Sequence, residues 1–184
     1  MKIDTAKAKI LAVIKHEGQV RIGGEPYVNH PIRVAEIVRE VKPNSRNLDM
    51  LEAAAYLHDT IEDTFTSPKE LTQHFGEGVS SIVLELSSAP FACDFYGKEK
   101  YLARKMLGMT PYALIVKLAD RLDNIRDMLT DHFIEEQIQR KFSEEQIQRK
   151  YAETQNLLNY LKAERNLTST HKELIRRIEE EMGY

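Results

Sequence analysis

Only one of the six histidines in this chain, His58, is followed directly by an aspartate, in the segment HDTIED. His58 and Glu62 are four residues apart, as are Asp59 and Asp63. On a helix each such pair shares a face, so all four groups can border one cavity. Four ionisable groups in six residues, directly after the apolar AAAYL, are expensive to bury without a metal or a substrate. The plainer alternative for the same segment is a solvated helix end. Two further residues favour the cavity. His30 stands in YVNHP, at a helix start, where its ring can point into a cleft. Asp120 stands in VKLADRLDN, flanked by apolar residues, and a lone buried aspartate is rare unless it is paired or metal-bound. Two imidazoles and two carboxylates make a mixed nitrogen and oxygen set, suited to Mn, Fe or Zn. Such a site keeps coordination positions for water and substrate. His16, His74, His132 and His171 lie among polar residues and are expected to be solvated.

The elements that must carry these residues are helical. Leu, Ile, Ala, Glu, Lys, Gln and Arg dominate between the breakers. Period-two runs of β-branched residues are essentially missing. Helices are predicted over about 4–16, with Ala6, Ile10, Val13 and Ile14 as the apolar stripe, and then from Pro31 to about Val41 and over about 48–60. Ser67-Pro68-Lys69-Glu70 is a strong start for a short helix to about Phe75, and Val79, Ile82, Val83 and Leu86 mark the next. FACDFYG reads as a surface loop. A helix follows over about 97–108, and Thr110-Pro111 opens another to about Leu129, apolar on most sides and expected to be central. The last third is predicted helical over about 133–164 and 170–183, the final helix capped at Thr170.

That last third holds a duplication. EEQIQRK occurs at 135–141 and again at 144–150, each copy followed by an aromatic residue, Phe142 or Tyr151. Nine residues advance a helix by about 900°, half a turn out of phase. One of the pairs Ile138/Phe142 and Ile147/Tyr151 is therefore expected on the core. The other should be exposed, lie in a subunit contact, or fall where the helix breaks.

The ordered set of His30, His58-Asp59 and Asp120 on a helical chain resembles the HD metal-dependent phosphohydrolases. HEGQVRIGGEPYVNHPIRVAEIV, AAAYLHDTIEDT, FGEGVSSIVLELS and VKLADRLDNIRDM resemble the hydrolase domain of RelA/SpoT proteins, most closely the single-domain, metazoan-type SpoT homologues. The likeness covers about residues 5–130. It implies an all-α HD helical bundle in which His30, His58, Asp59 and Asp120 bind one Mn²⁺. It implies that Glu62 and Asp63 position and deprotonate the attacking water, and that Arg21 and Asn124 contact the nucleotide. Tyr27 and Arg121 would help hold the pocket or the phosphates. The implied reaction removes the 3′-pyrophosphate of ppGpp or pppGpp, giving GDP or GTP and pyrophosphate, the chemistry of alarmone turnover in the stringent response. The alternatives are an HD phosphohydrolase for another nucleotide, such as a nucleoside monophosphate or NADPH, and a non-catalytic nucleotide-binding module. The chain departs from the family pattern at Ile22, where a second basic residue commonly follows the loop arginine.

Composition sets the remaining bounds. The chain has 184 residues, which suits one domain: a single HD hydrolase domain over 1–184, with a motif-bearing core at about 5–130 and C-terminal helices over about 131–184. Lys and Arg number 26 against 29 Asp and Glu, so the net charge of −3 gives no global field for nucleic acid. A polyphosphate must be met by local cations, for which Arg21, Lys98, Lys100, Arg104, Lys105, Lys117, Arg121 and Arg126 are candidates. The one cysteine, Cys93, excludes an intrachain disulfide framework. No apolar run reaches the length of about 18 residues that a membrane span needs, and the first residues lack signal-peptide features. The expectation is a soluble, reduced, cytoplasmic protein with a small guanine nucleotide as substrate and neither nucleic acid nor membrane as partner. A homo-oligomer is compatible with the sequence.

Overall fold

The computed structural model describes residues 3–88, 98–129, 132–134, 137–139 and 142–184. Cys93 and the FACDFYG segment lie outside the described residues, as do the side chains of His132 and Ile138. The helices are α1 (Thr5–Lys15), α2 (Asn29–Val41), α3 (Leu48–Leu57), α4 (Thr60–Asp63), α5 (Pro68–Phe75), α6 (Glu77–Leu86), α7 (Lys98–Gly108), α8 (Pro111–Leu129), α9 (Glu144–Glu164) and α10 (Ser169–Glu181). The fold is all-α apart from a short antiparallel hairpin, β1 (His132–Ile134) with β2 (Gln137–Gln139), in which Phe133 faces Ile138. Among the described residues, no helix is long and apolar enough to cross a membrane.

The central helix is α8, as its apolar composition predicts. Leu114, Ile115, Val116, Leu118, Leu122 and Ile125 are all buried on it, and it packs against α2, α3, α6 and α10. Its start follows the cap logic: Thr110 Oγ1 accepts the Ala113 N–H at 3.4 Å. Ser67 likewise accepts the Glu70 N–H at 3.2 Å ahead of Pro68.

Four features depart from the sequence pattern. First, α1 forms where predicted but turns the other way. Ala8 and Ala12 are fully buried, while Ile10 and Ile14 are 59% and 60% exposed and Val13 is exposed too. The helix lies on α3, whose Ala53-Ala54-Ala55 run is buried, so small faces small and the backbones approach closely. Second, α3 stops at Leu57. His58 Nδ1 takes the Ala55 carbonyl at 2.8 Å and the Thr60 hydroxyl takes the Leu57 carbonyl at 2.7 Å. Side chains thus satisfy the acceptors a longer helix would have used. Third, the predicted helix from 133 begins only at Glu144. Where both copies are described they differ, Gln137–Gln139 of the first being a strand and the second lying wholly in α9, and their neighbours differ too. Ser143 precedes the second copy and forms a capping box with Gln146, whereas Phe133-Ile134 precede the first, which supplies β2. Tyr151 is buried and Ile147 packs against the core, so the second copy is seated on it, whereas the Ile138 side chain of the first copy lies outside the described residues.

Fourth, α10 is capped by Thr168, two residues before the predicted cap, with His171 as the reciprocal partner. His171 is not solvated. It is buried, with Nε2 at 2.9 Å from the Pro111 carbonyl and Nδ1 accepting the Thr168 N–H at 3.2 Å. His16 is also buried, against expectation, stacked on Tyr27 at 4.8 Å. The His171 network requires a neutral ring with its proton on Nε2, since protonation at Nδ1 would destroy an acceptor. Burial outweighs the Pro111 bond and lowers the pKa of His171. The unfolded chain therefore takes up a proton more readily than the folded one as pH falls below about 6.5, and stability present above that pH is lost below it. His171→Gln keeps a capping-box partner and cannot titrate. Thermal melts from pH 7.5 to 5 should show a smaller fall in Tm for the variant than for the unaltered chain. An equal fall would remove His171 as the cause.

Candidate metal centre and pocket

Three elements bring the candidate ligands together. His30 lies in the first turn of α2, His58 and Asp59 in the turn after α3, and Asp120 on α8. One ligand atom from each of His30, His58 and Asp120 lies within 4.8 Å of the others, and all three residues are buried. His30 Nε2 is 3.3 Å from Asp120 Oδ1 and 3.8 Å from Asp59 Oδ2. His58 Nε2 is 3.0 Å from Asp59 Oδ2 and 3.9 Å from Asp120 Oδ1. Atoms bound at about 2.0–2.2 Å to one ion stand roughly 3–4 Å from one another, so His30, His58 and Asp120 suit a single divalent cation, with Asp59 beside both histidines. Both rings are turned for it. His30 Nδ1 is bonded to Asp123 at 2.7 Å and His58 Nδ1 to the Ala55 carbonyl, which leaves each Nε2 facing the centre. The buried His58 Nε2 has the Asp59 carboxylate at 3.0 Å and makes no well-aligned hydrogen bond among the described residues. A nitrogen so placed is open to a cation at the centre.

The electrostatics point the same way. Burial disfavours the charged form of His30, but hydrogen bonds to Asp120 and Asp123 outweigh it and push the pKa up to about 9. Burial would raise Asp120, but Lys117, with Nζ at 2.8 Å, and the two histidines hold it well below the usual carboxylate range. Asp59 is held down by His58 against its own burial. The cluster stabilises positive charge at its centre, and a proton and a cation compete for the same nitrogen.

A second layer of residues escaped the sequence reading. Asp123 joins His30 to Arg33, whose Nε reaches the other Asp123 oxygen at 2.7 Å and whose outer nitrogens reach Glu25. Asp127 receives Arg21 Nε and Nη2 at 3.3 and 3.1 Å. The available signal was spacing: Asp120, Asp123, Asn124 and Asp127 follow i, i+3, i+4, i+7 on one face of α8. Partners that orient a metal-binding histidine typically contribute about 10–100-fold to metal affinity. Asp123→Asn should therefore weaken metal binding by about that factor, read by competition with a chelator, with α-helical content retained. Unchanged affinity would reduce Asp123 to a partner of Arg33.

The cluster opens into a cavity of about 680 Å³. His30, Asp59, Asp120, Glu62, Asp63, Arg21, Tyr27, Arg121 and Asn124 all line it, and His58 is buried behind them. The Tyr27 hydroxyl lies 2.7 Å from Asp59 Oδ2 and 3.1 Å from Asp63 Oδ2. Arg21 donates to Asn124 at 2.8 Å, and Asn124 donates to Asp120 at 2.5 Å. Glu62 accepts the Ser88 N–H at 2.7 Å. Of the other cations singled out, Lys117 lines the cavity. Lys105 instead binds the carbonyls of Leu86 and Ser87, and Arg126 binds Glu181. The side chain of Lys98 lies outside the described residues.

An all-helical bundle that gathers a His-Asp dipeptide, an upstream histidine and a downstream aspartate around one point defines the HD class of domain. The chain belongs to the HD-domain family, whose model matches residues 8–166. It is 37% identical over 142 residues to a Myxococcus xanthus protein named GTP pyrophosphokinase, covering 73% of this chain and 18% of that one. It is 34% identical over 124 residues to a Vibrio cholerae protein named guanosine-3′,5′-bis(diphosphate) 3′-pyrophosphohydrolase, covering 65% of this chain and 17% of that one. The chain thus spans less than a fifth of the length of these relatives. Among solved structures, a metazoan ortholog of SpoT described as hydrolysing ppGpp shares the fold, with a TM-score of 0.77 at 22% identity over 97% of this chain and 95% of that one. A Listeria monocytogenes protein is a more distant fold neighbour, with a TM-score of 0.59 at 19% identity over 86% of this chain and 99% of that one.

Proposed function

We propose that this chain is a Mn²⁺-dependent hydrolase that removes the 3′-pyrophosphate of ppGpp or pppGpp, yielding GDP or GTP and pyrophosphate, and that all 184 residues form one HD unit. One observation carries the reading: His30, His58, Asp59 and Asp120 converge at the edge of a cavity whose wall also holds Glu62 and Asp63. The names of the Vibrio cholerae relative and of the metazoan fold neighbour support the choice of substrate.

In this reading His30, His58, Asp59 and Asp120 would hold the ion, which would lower the pKa of a water and offset phosphate charge. Asp63 and Glu62 orient that water and receive its proton. The water oxygen ends on phosphorus, the O3′–P bond breaks, and the 3′ oxygen leaves with a proton. Arg21 and Asn124, bonded to each other at the cavity wall, contact the nucleotide. Tyr101, Leu102, Met128 and Phe142 offer apolar surface to a purine. Tyr27 holds the two carboxylates in register, and Arg121 lies against Thr154 beneath the phosphates. The reading includes a cytoplasmic location, in keeping with the absence among the described residues of a helix long and apolar enough to cross a membrane.

The test incubates the purified chain and Mn²⁺ with a nucleotide panel and identifies the products. Pyrophosphate from ppGpp is the expected result. Orthophosphate from nucleoside monophosphates or NADPH would replace the reading with another HD phosphohydrolase. Tight binding without turnover would make the chain a binding module.

A further inference from the structure

His16 is 2% exposed and lies outside the metal cluster, in the turn that ends α1. Its ring stacks on Tyr27, with centroids 4.8 Å apart and planes 28° from parallel. His16 Nδ1 stands 2.8 Å from Gln19 Oε1, and Gln19 Nε2 donates to the Asp63 carbonyl at 3.2 Å. A carbonyl can only accept, so the Gln19 amide turns its nitrogen to Asp63 and its oxygen to His16. The His16 proton therefore sits on Nδ1, and two successive donations run from His16 through Gln19 to the backbone of Asp63. Main-chain bonds brace the same residues. The Gln19 N–H donates to the His16 carbonyl at 3.0 Å, and the Tyr27 N–H donates to the Gln19 carbonyl at 2.9 Å.

Asp63 needs such support. It ends α4, a helix of four residues in which Thr60 is the one buried side chain. A single helical turn is not stable by itself, so the place of its last carboxylate must be set from outside. Two ties come from the segment that His16 opens. Gln19 holds the Asp63 carbonyl, and the Tyr27 hydroxyl lies 3.1 Å from Asp63 Oδ2. His16 touches both holders. Its other nitrogen, Nε2, is buried and has no hydrogen-bond partner among the described residues. A phenylalanine would keep the stack and bury no polar atom, so packing alone does not call for an imidazole here.

We infer that His16 is a positioning residue for hydrolysis: it fixes the backbone of Asp63 by way of Gln19, and its stack on Tyr27 keeps the ring in place for that bond. The role rests on the hydrolase reading above, with Asp63 receiving the proton of the water; the tie itself is tested without it. The variants are made in the full chain loaded with Mn²⁺. His16→Phe stacks but cannot donate, whereas His16→Asn places an amide nitrogen where Nδ1 stands. His16→Phe should lower kcat for ppGpp about 10- to 100-fold, with KM, metal content and Tm little changed. His16→Asn should recover most of that loss. Gln19→Leu, which cuts the link without altering the buried ring, should match His16→Phe. In an Asp63→Asn background His16→Phe should lower kcat no further, because it acts through Asp63. A similar fall in both backgrounds, or no recovery with asparagine, overturns the role. Hydrogen exchange reads the tie without turnover. The Asp63 and Thr64 N–H groups donate to the Asp59 and Thr60 carbonyls, and they should exchange faster in His16→Phe and Gln19→Leu than in the unaltered chain or His16→Asn. If ppGpp is not hydrolysed, or if Asp63→Asn alone turns over near-normally, the reading of the reaction fails and the exchange result still decides the tie. Unchanged exchange at Asp63 and Thr64 overturns the tie whether or not ppGpp is turned over.

Discussion

Asp120→Ala should abolish metal binding and lower turnover by more than the roughly 10–100-fold expected for a residue that only orients a ligand. Asp120 Oδ1 faces both His30 Nε2 and His58 Nε2, and it is the one carboxylate contributed to the cluster by the central helix. The same change has a separate structural consequence, because Asp120 is the ion-pair partner of the half-buried Lys117. Removing one partner of a buried pair leaves a charge without compensation, at a cost of about 3–5 kcal/mol. Loss of activity alone would therefore be ambiguous. Asp120→Ala/Lys117→Met removes the stranded charge, and it should recover most of the lost Tm while binding no metal. Metal content by elemental analysis and Tm by calorimetry read the two effects independently. Full metal content and full turnover in Asp120→Ala would remove the residue from the centre.

The candidate site was more legible in the sequence than the packing around it. His58-Asp59, His30 and Asp120 are conspicuous because ionisable groups stand where apolar neighbours demand burial, and that conflict is local. Capping at Ser67 and Thr110 is local too, and both starts form as written. Tertiary choices are not local. The apolar Ile10, Val13 and Ile14 lose the core to Ala8 and Ala12 because the α3 surface beneath them is built of alanines, a fact recorded forty residues away. The two EEQIQRK copies have the same intrinsic propensities, so only the cap and the flanking residues distinguish the strand Gln137–Gln139 of the first from the helix of the second. Asp123 went unmarked and His171 was expected in solvent for a related reason. Their partners, His30 and Pro111, are 93 and 60 residues distant in the chain, and nothing near them announces the contact.

Asp63→Asn and Glu62→Gln should leave the metal in place and remove most hydrolysis, with Asp63 the more damaging of the two. Neither side chain belongs to the four-residue cluster, so neither change should empty it. Burial and the charge of Asp59 raise the pKa of Asp63, which makes it the better proton acceptor. Burial and Asp59 likewise push up the Tyr27 phenol, which keeps it a donor. That hydroxyl has one proton, and its shorter contact, 2.7 Å, is to Asp59, so Asp63 retains lone pairs for water. Glu62 is anchored by the Ser88 N–H, a bond that glutamine can still accept, so Glu62→Gln tests charge without releasing the Ser88 backbone. Loss of a general base is typically worth about 10²–10⁴-fold in rate. The single Asp63 variant should fall in that range, the Glu62 variant should be milder, and the double variant should be nearly inactive with its metal still bound. Single-turnover measurements on the metal-loaded proteins separate this from slow product release. Near-normal turnover in the double variant would place the base elsewhere. Loss of metal in the Asp63 variant would instead assign that carboxylate to the centre itself, through Tyr27 and Asp59.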